Sequence, residues 1–380
     1  MHNSRRSIVL GQVMLAGILW LGVGVLSADE PVVADSLDSD PITADASVAE
    51  TVTPSDWVLF GDFWSRAERT DAIPNRSDDL ERLRARARVG VRRVFADVEF
   101  GAGLEAALGS DGDRGNRANN DNERSDDVNL DEFYLRWQIS DEAHLLLGKT
   151  AFPIALTPLV WDDDLRPVGV SASRSFPMGD SHRLSLVGGY FAGDHLYGDQ
   201  SRIAAAQIGW QFHETSNFGG DVALAYLDFS DLQTLVDQGF GRTNLRTQGR
   251  LVSDYELLDL QLGLHWRVHD WPLAVRGDWV HNLGAKANDQ GGRFSAVLGD
   301  SRRARNWELG LAIQRIQRDA VLAAFNSDDW WFHSFAQGHM PWIAYGVDAH
   351  WRLRLALFDE QRDGIAHDTQ RWALDLNARW

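Results

Sequence analysis

The chain has 380 residues, with 37 basic against 55 acidic side chains, a formal net charge of -18 at pH 7 and no cysteine. That balance sets nucleic acid aside as a partner, because phosphate binding needs clustered positive charge; the missing thiols exclude disulfide scaffolds, Cys-ligated zinc and thiol nucleophiles. No apolar run of about 18 residues exists beyond residue 28, which excludes a bundle of membrane helices.

Arg5 and Arg6 precede an apolar stretch from Ile8 to Leu26 that ends in Ser27 and Ala28. Basic, apolar, then small is the order of a secretory signal peptide, so residues 1–28 are read as an export signal. The stretch is long, which keeps an uncleaved anchor as the alternative, and Ser4-Arg5-Arg6 also fits the twin-arginine route. Residues 29–55 hold seven carboxylates and no basic residue, and they show no apolar periodicity. They read as a disordered acidic lead-in.

From residue 56 to 380 the pattern has a period of two. Arg82, Arg84, Arg86 and Arg88 alternate with Leu83, Ala85, Ala87 and Val89. Next, Asp97, Glu99, Gly101, Gly103 and Glu105 oppose Val98, Phe100, Ala102 and Leu104, and Phe133, Leu135, Trp137 and Ile139 oppose Glu132, Tyr134, Arg136 and Gln138. The same alternation returns at 258–268, 307–314 and 371–380. Residues two apart on a strand point the same way, so every such segment carries one polar and one apolar face. The expected strands are 57–69, 80–91, 94–108, 128–139, 143–150, 168–177, 183–193, 202–213, 220–229, 255–268, 272–283, 303–316, 319–326, 341–349, 352–360 and 369–380. That makes about 16, with 14 or 18 left open.

Strands of this kind fit a soluble sandwich or propeller, or an all-β transmembrane antiparallel barrel whose apolar faces meet lipid. Three features favour the barrel. Trp and Tyr cluster near strand ends, as interfacial girdles do. Connections alternate short and long: Arg92-Arg93, then 109–127, then Ser140–Glu142, then 150–167. The last strand carries Trp372, Leu374, Leu376 and Trp380 at alternate positions, which resembles the assembly signal of bacterial outer-membrane proteins and implies the barrel assembly machinery as a partner. An even strand number places both termini in the periplasm.

Asp131-Glu132-Phe133-Tyr134-Leu135, Leu147-Gly148-Lys149, Val160-Trp161-Asp162-Asp163-Asp164-Leu165, Ala225-Tyr226-Leu227-Asp228-Phe229 and the last strand together resemble the putative porin family of Gram-negative outer membranes, with a more distant likeness to alginate-export-type barrels. The resemblance covers roughly residues 57–380. It implies a 16-stranded channel in the cell outer membrane, surrounded by lipid and lipopolysaccharide, that passes small hydrophilic solutes or ions. Members often carry a longer N-terminal segment prone to coiled coil, which the short lead-in here does not match. General porins commonly trimerise, so a homotrimer stays open.

Motifs for other chemistry fail on their context. Gly101-Ala102-Gly103-Leu104-Glu105-Ala106 fits a loose dinucleotide fingerprint, but no helix follows. Gly148-Lys149-Thr150 lacks the leading glycine of a P-loop, where Ala143 stands. The acids of 109–127 lack the ligand order of an EF-hand, the twelve histidines show no metal-ligand spacing, and no Gly-x-Ser-x-Gly elbow appears. No cofactor, metal or catalytic residue is assigned. A structural barrel with a plugged lumen remains the alternative to an open pore.

The row Arg82, Arg84, Arg86 and Arg88 is expected in the lumen, because at mid-depth in lipid each arginine would cost roughly 2–4 kcal/mol. Asp97, Glu99 and Glu105 on the next segment are its expected cross-strand partners. The segment 151–167 is too apolar for a loop in water and is expected to fold inward. Asp162, Asp163 and Asp164 would then face the arginines across a constriction, with a preference for small polar or zwitterionic solutes and modest ion selectivity.

Overall fold

The computed structural model describes residues 57–110, 121–122, 126–179, 181–193, 200–215 and 218–380. The signal-peptide and lead-in readings, and much of the acidic segment 109–127, lie outside the described residues.

Sixteen strands form one closed antiparallel barrel. They are β1 (Val58–Asp71), β2 (Leu80–Phe95), β3 (Val98–Gly109), β4 (Asp127–Ser140), β5 (Ala143–Lys149), β6 (Val168–Pro177), β7 (His182–Ala192), β8 (Arg202–Thr215), β9 (Phe218–Ser230), β10 (Tyr255–Val268), β11 (Trp271–Asn282), β12 (Gln290–Gly299), β13 (Trp307–Ile316), β14 (Ala336–Gly346), β15 (Trp351–Arg362) and β16 (Thr369–Arg379). Each pairs with its chain neighbour, and β16 pairs back onto β1 from Asp62↔Arg379 to Asp71↔Gln370. Trp380 extends this seam: its N–H donates to the Gly61 carbonyl at 3.1 Å and its carbonyl accepts from the Gly61 N–H at 3.1 Å. Its indole lies so close over Gly61 that a Cβ there would sit 2.7 Å from the ring. Closure leaves no strand edge unpaired, which a wall in hydrocarbon requires.

Alternation decides which face meets lipid. Leu83, Val89, Leu104, Phe133, Leu135, Leu260, Leu262, Leu309 and Leu311 are exposed on the outer face, while their strand neighbours of opposite parity turn inward. No described helix is long and apolar enough to cross a membrane; strands make the crossing. Short turns and long loops alternate around the barrel, so all the long loops lie at one end.

Two strand expectations change. The β2–β3 turn is Ala96-Asp97, with Ala96 at φ 53°, rather than Arg92-Arg93. Arg93 stays in β2 on the outer face, its guanidinium over the rings of Phe95 (4.7 Å) and Trp57 (5.6 Å), so two adjacent arginines do not mark a turn here. The segment 319–326 is no strand, and 290–299 is one. Ala320-Val321-Leu322-Ala323-Ala324-Phe325 is apolar without alternation, the mark of a segment buried on all sides. In β12 the inward positions Gly291, Arg293, Ser295 and Val297 mix polar and apolar, which blurs the period. The two errors cancel in the count.

Candidate functional site

Among the described residues, three loops at the long-loop end turn into the barrel, and Asp121 and Asn122 of a fourth, the β3–β4 loop, are buried beside them. In the β5–β6 loop, Ile154, Leu156, Leu159, Val160, Trp161 and Leu165 are each no more than 4% exposed. Phe152 stacks on Trp161 at 4.2 Å and Trp161 on Phe325 of the β13–β14 loop at 5.5 Å, while Phe152 meets Phe191 of the wall edge-on at 4.9 Å. Residues 320–325 of the β13–β14 loop are buried in the same cluster, with Ile203, Leu227, Phe229, Tyr255, Leu257 and Val280 of the barrel wall. The β9–β10 loop closes over this cluster with a short helix, Gln233–Asp237, whose Leu235 is buried, and with Phe240. Leucine-sized side chains buried this way each contribute about 1.5–3 kcal/mol by leaving water.

Polar groups set the position of each loop on this apolar bed. Gln207 of β8 accepts from the Ala155 N–H at 3.1 Å and donates to its carbonyl at 2.6 Å, and Gln261 of β10 donates to that carbonyl at 3.0 Å. The Thr157 hydroxyl donates to Asp278 of β11. Asn244 of the β9–β10 loop donates to the carbonyls of Arg318 and Val321, both at 2.9 Å, and accepts from the Ala323 N–H at 2.8 Å. Buried loop backbone is tolerable only when its polar groups are satisfied in this way.

The opposite wall, made by β15, β16, β1 and β2, is charged. Arg82 pairs with Glu68 and with Asp121 of the β3–β4 loop, and Arg84 approaches the same two acids at 3.5 and 3.7 Å. Arg66 bonds Asp375 at 2.6 Å and reaches Asp329 of the β13–β14 loop at 2.5 Å. Arg88 bonds Glu105 at 2.8 Å and lies 3.3 Å from Asp131 and 3.1 Å from Asp164. Arg86 pairs with Asp164 and lies 3.9 Å from Glu105. Three guanidiniums, those of Arg66, Arg84 and Arg86, surround the Trp64 ring at 5.0, 5.3 and 5.7 Å. Indole faces attract cations, so Trp64 fixes the spacing of the row.

Between the two walls the loops meet at one residue. Asn122 donates from its side chain to Asp162 at 2.6 Å and to the Asn326 carbonyl at 3.0 Å, and from its backbone to Asp328 at 2.5 Å. Burial, and then the charges of Asp328 and Asp164, push the Asp162 carboxyl well above the usual carboxylate range. Burial and Asp121 raise Asp328 as well. Burial works the same way on Asp329, but the guanidiniums of Arg66 and Arg354 outweigh it and hold that carboxyl low.

The ten residues expected at the constriction therefore divide. Arg86, Arg88, Glu105 and Asp164 form one contact cluster. Arg82 and Arg84 sit deeper, their side chains 0% and 3% exposed. Asp162 belongs to the Asn122 junction, and Asp163 is exposed with its carbonyl toward Arg166. Asp97 is an exposed turn residue away from the row, where the shift of the turn to Ala96-Asp97 carries it. Glu99 accepts from the Tyr134 hydroxyl at 2.6 Å and lies 3.6 Å from Arg136, away from the row as well. Glu68, Arg66, Trp64 and Asp328 are part of the site without a mark in the sequence, and so is Asp121, which the sequence offered only as one acid of the segment 109–127 and which is buried on Arg82. Their strand and loop partners are up to 309 positions apart, and spacing alone carries no trace of such pairs.

A closed barrel of sixteen strands, apolar outside and polar within, its lumen narrowed by loops folded inward, is an outer-membrane channel. The family described as Putative porin matches residues 61–250, half of the chain, and the chain belongs to that family. It is a channel for passive diffusion, and its family and fold are those of a channel rather than an enzyme. Among solved structures, Pseudomonas putida OprB is similar with a TM-score of 0.58 and 11% identity, over 85% of this chain and 94% of that one. OmpT of Vibrio cholerae, in a form lacking its loop L8, is similar with a TM-score of 0.50 and 11% identity, over 86% and 99%. At such identity the likeness concerns the fold. No curated protein sequence matches the chain.

Proposed function

We propose that small hydrophilic solutes or ions cross the lumen beside the charged wall, through the space left by the in-folded loops, and that Arg86, Arg88, Glu105 and Asp164 form the narrow point. The observation that carries this reading is Asp164, which the docked β5–β6 loop delivers onto two arginines of β2. Water and polar solutes gain nothing from the apolar cluster on the other side, so the passage belongs against the polar wall. Residues 1–28 direct export, the short turns and termini face the periplasm, and lipid and lipopolysaccharide surround the outer belt. Trp372, Leu374, Leu376 and Trp380 serve the barrel assembly machinery on the strand that closes the seam. Single-channel recording of the purified protein in a planar bilayer tests the pore: stable conductance steps are expected. Persistent silence would instead fit a lumen fully plugged by its in-folded loops.

A further inference from the structure

The lumen wall near the short turns carries an excess of arginine. Arg92, Arg136, Arg183, Arg267, Arg352 and Arg379 come from six different strands, and each stands at inward parity, its strand neighbours turned to the lipid side. None of the six is buried, so each touches the water of the lumen. Against them and Arg276, the inward strand carboxylates at that end, among the described residues, are Asp62, Glu99, Asp221 and Glu308. Three of these already serve an arginine: Glu99 beside Arg136 at 3.6 Å, Asp221 on Arg276 at 3.1 Å and Glu308 on Arg352 at 2.7 Å. The balance of this wall is therefore positive in a chain whose net charge is -18.

The acidic excess of the chain lies elsewhere. Seven carboxylates fall in residues 29–55, outside the described residues, and among the described ones Asp97, Asp141, Glu142 and Asp270 are exposed turn residues beyond the strand ends. Charges in open water are screened within about 8–10 Å at physiological salt, whereas a narrow lumen in a low-dielectric wall focuses the field of the charges that line it. The wall thus outweighs the rim. Its cations are also all guanidiniums, which stay charged at any working pH and present paired N–H donors that match carboxylate and phosphate oxygens.

We propose that the channel prefers small anions, carboxylates and phosphate among them, and that this arginine-rich wall is its selectivity element. The proposal rests on the channel reading above. It assigns the permeant class through the open half of the lumen and does not depend on how the loops pack.

The test is a reversal potential measured on the purified full chain in a planar bilayer, between KCl solutions of unequal concentration. Chloride should be more permeant than potassium by a factor above about 2 at low salt, falling toward unity in concentrated KCl as screening takes over. Acetate or phosphate as the sole anion should still carry current. The double variant Arg92→Gln with Arg183→Gln removes two water-facing charges and should lower the ratio, while the heat shift of the folded barrel stays as in the parent. A potassium preference in the unaltered protein, current confined to chloride, or a ratio unmoved by the double variant would each overturn the proposal while the channel stands. Absence of any conductance step would overturn the channel reading itself.

Discussion

Opposite walls of this barrel hold the same loops by opposite physics. On β8–β11, the β5–β6 and β13–β14 loops rest on Ile203, Leu227, Tyr255, Leu257 and Val280, an apolar contact that is non-directional and gains free energy with every side chain removed from water. On β1 and β2 the loops touch Arg66, Arg82, Arg86 and Arg88 through Asp329, Asp121 and Asp164. A buried ion pair gains little net stability, because desolvation offsets most of the attraction, yet an orphaned partner is strongly unfavourable. The apolar wall therefore supplies the adhesion, and the charged wall dictates where the loops come to rest. The contrast also explains why a passage for polar solutes fits one side only.

The largest effect should follow from orphaning the charged wall. Arg82→Ala removes the guanidinium that pairs closely with both Glu68 and Asp121, leaves them the longer contacts to Arg84, and should cost about 3–5 kcal/mol. Unfolding midpoints read from the heat shift on gels measure this loss. The comparison sharpens if Glu68→Gln, Arg82→Met and Asp121→Asn are made together: removing all three charges should restore most of the stability. A triple variant as weak as Arg82→Ala would mean that the charged wall does supply adhesion. On the apolar side, Leu159→Ala deletes a fully buried side chain and should cost about 2–5 kcal/mol, with looser β5–β6 loop packing seen as noisier single-channel current.

The two walls were unequally legible in the sequence. Alternation gave the strands because a lipid-facing barrel repeats one constraint at every second residue, and the apolar content of 151–167 was enough to turn that loop inward. The arginine row was equally plain. Its partners were less so, apart from Glu105, which sits directly across from Arg88 on the next strand, and Asp164, which the inward turn of 151–167 was expected to bring opposite the row. Glu68 is opposite Arg82 on the preceding strand, a pairing open to the same cross-strand reasoning once the β1–β2 register is known. Asp121, Asp164 and Asp329 come from three different loops, and where a loop rests is decided by packing over the whole lumen. The buried run Ala320–Phe325 did carry a signal, its lack of alternation, which a strand assignment had to override.

Between the walls, the junction of Asp162, Asn122 and Asp328 makes the loop packing sensitive to pH. Both carboxyls sit above their ordinary range, so the folded chain holds protons there that the unfolded chain releases. Stability is then greatest at low pH as far as these two groups are concerned, and it declines as pH rises from the ordinary carboxylate range, about 4, toward their raised values. Asp162→Asn keeps an oxygen for Asn122 and removes the titration, so it should flatten that decline. Thermal midpoints measured across the same pH interval check this, and a decline as steep in the variant as in the parent would place the sensitivity elsewhere.

The smallest expected effect separates the buried from the water-facing part of the arginine row. The Arg84 side chain is 3% exposed and the Arg86 side chain 13%, beside an Asp164 that is 21% exposed. Arg86→Ala takes a charge from the narrow point without orphaning Asp164, because Arg88 remains 3.1 Å away. The loop should stay docked, conductance should rise slightly, and the reversal potential should move modestly toward cations. Arg84→Ala removes a charge that water hardly touches, and Arg82 still pairs with both Glu68 and Asp121. It should lower the thermal midpoint and leave selectivity where it was. Recording both single variants under one salt gradient decides between them. If Arg84→Ala shifted selectivity as far as Arg86→Ala, the field at the narrow point would arise from the row as a whole, and the division between an anchoring half and a solute-facing half would be lost.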